Sequence, residues 1–176
     1  MVAQLPAISV NDDSSQKLPL TVGYFKDLCS RFMSEKSAKL AEKLTLEPPV
    51  EPVSTGSVFL DEWYEKERCL RLALAQIRAL KIKKDIKDLP SASDGESIQA
   101  ARTATGMDSP LAAEQYLNQY RLGILDRISP LDNFSVDAVY SYGLKLMLAE
   151  RMKKFNKDEG LASYHKIYDE ILGEKK

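Results

Sequence analysis

The chain has 176 residues, with 25 Lys and Arg set against 26 Asp and Glu, for a net charge of −1. That length suits one domain with a core of ordinary size, and the near balance of charge argues against a general nucleic-acid binder, which carries a basic excess on one face. Cys29 and Cys69 form no C-x-x-C pair, Met1–Val10 lacks the basic start and apolar run of a leader, and no stretch approaches the ~18–20 apolar residues of a membrane span. The expectation is a reduced, cytoplasmic protein that meets a membrane only through partner proteins.

Residues 1–10 are apolar but broken at Pro6, which predicts a short strand or an extended segment laid on helices. A polar loop follows to Leu20. Thr21 then opens a helix with Val22, Phe25, Leu28, Cys29 and Phe32 on one face. Ser34 restarts or continues it through Ala38, Leu40, Ala41 and Leu44. Residues 46–57 hold Pro48, Pro49, Pro52 and Gly56, so no helix passes through them and they read as a stiff linker ending in Ser57, a fair N-cap.

The stretch 58–85 contains no Gly or Pro and is rich in helix formers, which predicts a helix roughly 40 Å long at about 1.5 Å per residue. Phe59, Trp63, Leu70, Ala73, Leu74, Ile77 and Leu80 make one apolar face, and Leu72, Ala75, Ala79 and Ile82 a second. A helix with two such faces lies between neighbours rather than on top of a core. Its acids crowd the first half and its bases the second, complementing the macrodipole and setting up Glu62–Lys66, Glu65–Arg68 and Glu67–Arg71 pairs.

Residues 86–97 have the composition of a mobile surface loop. A short helix at 98–105 ends at Gly106. Ser109–Pro110 is a cap followed by Pro at N1, opening a helix with Ala113, Leu117, Tyr120, Ile124 and Ile128 on one face and a stop at Pro130. Ser135 caps the next, in which Val136, Val139, Tyr140, Gly143, Met147 and Phe155 face inward. A last helix after Asn156 carries Leu161, Tyr164, Ile167, Tyr168, Ile171 and Leu172. The expectation is one all-α domain over 1–176: a bundle of five to seven helices around one long central helix, with a short N-terminal extended segment.

Motifs for chemistry are scarce. The single histidine, His165, would need an acid at position 162 for a bundle-type metal pair, and that residue is alanine. Ser163 and Lys166 have the Ser-x-x-Lys spacing, but the companion motifs of serine acylases are missing. Neither a G-x-x-x-x-G-K-[ST] loop nor a G-x-G-x-x-G is present. No catalytic residue, metal or cofactor is expected. Tyr116, Tyr120, Tyr140, Tyr142, Tyr164 and Tyr168 fall in three consecutive helices and fit a core whose phenols reach its rim.

The order of the helix motifs carries more. Trp63, Tyr64, Glu67, Arg68, Leu70, Leu72, Ala73 and Leu74 on the long helix are followed by Pro110, Leu111, Glu114, Tyr116, Leu117 and Arg121, then by Tyr142, Leu144, Lys145, Leu146, Leu148, Glu150, Arg151, Phe155 and Gly160. This order, together with the opening Val2–Pro6, resembles an uncharacterised bacterial family encoded with V-type (A/V-type) ATPases and described as C-subunit-like, after the socket of those motors. The resemblance implies an all-helical, non-enzymatic subunit or accessory that sits between central stalk and rotor ring and transmits torque. The archaeal-type socket is longer and threefold repeated; this chain is neither.

A socket holds its partner by an apolar patch, with cations setting orientation and encounter rate. Arg68, Arg71, Arg78, Arg102 and Arg121 are the expected docking residues. Glu67, Glu114, Lys145, Glu150 and Arg151 match the family's motif and could equally form an internal ion-pair network. The alternative from another class is a helical protein–protein adaptor unrelated to a rotary ATPase.

Overall fold

A computed structural model describes residues 5–8, 18–82, 94–153 and 157–172. These contain seven helices: α1 (Val22–Phe32), α2 (Glu35–Glu42), α3 (Val58–Lys81), α4 (Gly95–Gly106), α5 (Pro110–Ile128), α6 (Val136–Lys153) and α7 (Lys157–Leu172). Among the described residues there is no strand.

Capping side chains account for where most of these helices begin. Thr21, Ser34, Ser57, Asp94 and Ser109 each accept the backbone N–H three residues on, and the Ser135 hydroxyl accepts that of Ala138. Each cap satisfies a donor the helix leaves open and stabilises its start by about 1 kcal/mol. The Asp94 cap corrects the expected loop over 86–97. Residues 95–97 are already helical because the Asp94 carboxylate accepts both the Ser97 N–H and its hydroxyl. Residues 86–93 and 83–85 lie outside the described residues, and the long helix ends with Lys81. Ser34 restarts the chain as a separate helix, because Met33 takes an extended conformation.

The long helix α3 packs against α4, α5 and α6. Its first half enters a core with α1, α2, the second half of α5 and α6, built around Phe25, Trp63, Leu125, Tyr140, Leu144 and Leu148. Its second half enters another, where Leu70, Ala73 and Leu74 meet Ala100, Ala101 and Ala104 of α4 and Leu117 of α5. Three alanines on one face let α4 lie close against α3. At the first core Gly143 is required: a Cβ there would fall 2.6 Å from Phe25 Cε1 and 3.0 Å from Leu44 Cδ1.

Four apolar residues expected on the apolar faces of the bundle helices are exposed: Phe32, Leu80, Ile82 and Val136. All four stand at helix ends, where the periodicity continues past the neighbour that covers it. The linker 46–57 is held by Asp61, whose carboxylate accepts the Thr55 N–H at 2.7 Å and the Thr55 and Ser54 hydroxyls at 2.8 Å. Gly56 turns the chain there at φ +83°. Residues 5–8 lie on the bundle, with Leu5 and Ile8 packed against the first core and the Pro6 carbonyl accepting from the Tyr142 hydroxyl at 2.9 Å.

Helix α7 differs from the rest. Among the described residues it makes no contact with another helix, and its apolar residues, Tyr164 and Tyr168 included, are exposed. The tyrosines expected to share one core therefore divide: Tyr120 and Tyr140 reach its rim, bonding Ser97 and the Ser37 carbonyl, while the pair on α7 stands outside it.

Candidate docking surface

The centre of α3 buries a carboxylate. Glu67 is 1% exposed and receives two hydrogen bonds from Arg121 of α5, both 2.9 Å, in a bidentate fork. Arg71, one turn on along α3, donates to the same carboxylate at 2.8 Å. Arg121 itself is 5% exposed and leans on the Asn118 side-chain oxygen at 3.5 Å. Such a pair survives burial because each charge is neutralised and bonded at good geometry. Trp63 Nε1 and Asn118 Nδ2 are buried donors without an acceptor among the described residues.

This node corrects one expectation. Arg121 is no docking residue, since its guanidinium is buried and spent on Glu67. Arg68 and Arg71 are only partly available. Arg68 bonds Glu65 and the Pro49 carbonyl; Arg71 divides between Glu67, the Leu46 carbonyl and, at 3.9 Å, Glu47. Both tie the linker to the long helix. Arg78 and Arg102 are exposed and make no ion pair within the described residues.

The motif residues also hold the bundle together. Glu114 and Arg151 pair at 3.1 Å, joining α5 to α6. Lys145 reaches Asp126 of α5 at 2.7 Å. The Glu150 carboxylate accepts the Val22 N–H at 3.1 Å, placing a negative charge at the start of α1, where the helix dipole favours it. Lys66 is directed to Asp94 at 3.4 Å rather than to Glu62. Ser97, burial, and then Lys66 act on that Asp94 carboxyl, and the hydrogen bonds prevail, holding it below the ordinary value.

Among the described residues, one surface open to a partner is a groove of about 310 Å³ between α3, α4 and α5. Leu74, Ala104, Met107, Pro110, Ala113 and Leu117 line it, with Arg78, Lys81, Thr105 and Glu114 around them. Lys81 donates to the Thr105 carbonyl at its edge. An apolar lining bordered by Arg78 and Lys81 suits an amphipathic segment carrying acidic side chains. Of the expected docking residues, Arg78 lies at this groove; Lys81 and the small residues of α4 and α5 were not among them. Their only sequence signal is the alanine spacing, which also reads as ordinary helix packing.

Among the described residues no group of three or more His, Cys, Asp or Glu is placed to hold a metal ion, and no helix is long and apolar enough to cross a membrane. In comparison with known proteins, residues 95–175 match the family described as "Protein of unknown function (DUF2764)". That span holds α4 to α7, and with them Arg102, Glu114, Arg121, Lys145, Glu150 and Arg151; it excludes α3 and its arginines. No curated protein and no solved structure matches the chain.

Proposed function

We propose that this chain is a non-catalytic subunit or accessory of a V-type ATPase, and that it holds an acidic amphipathic helix of a central-stalk protein in the groove between α3, α4 and α5. The rotary assignment rests on the order of motifs shared with the C-subunit-like family. The docking mode rests on one observation: an apolar groove edged by the exposed Arg78 and by Lys81. The motif carboxylates and bases are engaged in pairing α3, α5 and α6, as befits a stiff body that transmits force rather than one that performs a reaction.

The test is capture of separately purified central-stalk subunits, and of the detergent-solubilised rotor ring, on the immobilised full chain at low and high salt. Capture of a stalk protein that weakens as salt rises supports the reading. Binding to neither removes the motor and leaves the adaptor reading in its place.

A further inference from the structure

Helix α7 is amphipathic, and none of the described helices covers it. Leu161, Tyr164, Ile167, Tyr168, Ile171 and Leu172 are each about half exposed or more, although they share one face of a helix. Leu161 and Tyr168 occupy the a positions of a heptad, and Tyr164 and Ile171 the d positions; Ile167 and Leu172 widen the seam. Tyr164 and Tyr168 stack on one another along it, with ring centroids 5.9 Å apart. The polar face carries Lys166, Asp169 and Glu170.

We infer that this face is a self-association surface, covered in solution by α7 of a second copy. Two observations select that occupant. The first is area: the exposed parts of the six residues total roughly 600 Å² per chain, at the upper end of what a typical monomer leaves open, and two such faces together reach the low end of specific interfaces. The second is charge. The positions flanking the seam between 160 and 172 are Gly160, His165, Ile167 and Leu172, with no Lys, Arg, Asp or Glu among them. Partner-selective coiled coils place charges there to reject their own kind; this seam has none, so two identical faces meet without repulsion. An anionic lipid surface fits less well, because Asp169 and Glu170 oppose the single Lys166 on the polar face. Two heptads form a short seam, so the dimer is weak and concentration-dependent.

The experiment is sedimentation equilibrium of the full chain from low to high micromolar concentration, beside the double variant Tyr168→Glu, Ile171→Glu. Both residues are exposed and off the bundle, so the variant keeps the buried Trp63 emission of the folded bundle. The expected result is a monomer–dimer equilibrium for the wild-type chain and a monomer at every concentration for the variant. A wild-type chain that stays monomeric throughout, including one that binds anionic vesicles instead, overturns the inference. So does a dimer that persists in the variant. Arg78→Glu, which lies in the groove, should leave the dimer unchanged, so that failure here and failure of the docking proposal are separable.

Discussion

Replacing Arg121 with Met tests the buried node directly. Met keeps much of the aliphatic volume but removes both hydrogen bonds to a carboxylate that is 1% exposed. Breaking one side of a buried pair typically costs ~3–5 kcal/mol, because the remaining charge is left without compensation. Arg71 still touches Glu67 at 2.8 Å, which places the expected loss near the lower end, about 3 kcal/mol, or a fall in Tm of ~6–12 °C for a chain of this size. Arg71→Ala should cost less, about 1 kcal/mol, since Arg71 is 39% exposed in its side chain and Arg121 stays in place. The double variant Glu67→Met, Arg121→Met removes both charges and should lose less than the two single changes together. Urea unfolding followed through Trp63 fluorescence measures all of these. If Arg121→Met cost less than about 1 kcal/mol, or the double loss equalled the sum of the singles, the node would not be the coupled buried pair described.

Gly143→Ala should destabilise by ~1–3 kcal/mol in thermal unfolding, because its Cβ would meet the Phe25 ring and Leu44 in a packed core. Charge reversal of Arg78 should weaken stalk binding and leave far-UV circular dichroism unchanged. Reversal of Arg71 should instead lower stability, because it sets a second carboxylate beside Glu67. The Cys29 thiol is pushed from 9.0 to about 11 by burial, with Glu42 adding to it. In the pH range between those values the folded state holds a proton the unfolded chain releases, so stability should decline as pH rises from 9 towards 11. Cys29→Ala should flatten that part of a denaturation-against-pH profile. Asp94→Ala should cost about 1 kcal/mol by removing the α4 cap.

The helices were legible because their signals are local. Ser-Pro before α5, Ser57 before α3 and the apolar spacing along each helix act within a turn or two, and the predicted starts of α1, α3, α5 and α6 coincide with the observed ones. The start of α4 was missed because Asp94–Gly95 has the composition of a turn, while its capping role depends on the hydroxyl and N–H of Ser97. Site residues were less legible. Arg121 and Arg78 look alike in the sequence, each a base on a helix, yet one faces Glu67 across 54 positions and the other faces solvent. Only the packing of α5 on α3 separates them. The exposure of α7 could not be read from its pattern either, since an apolar stripe looks the same whether the chain covers it or leaves it for a partner.

The most direct test of the central claim is a titration of the full chain, and of Arg78→Glu beside it, with purified central-stalk subunits at low and high ionic strength. The account predicts binding at low salt that weakens steeply with added salt and falls at least tenfold, about 1.4 kcal/mol, on charge reversal. Binding by the Arg78→Glu chain equal to that of the wild type, or no binding of any stalk protein by a folded chain, would contradict it.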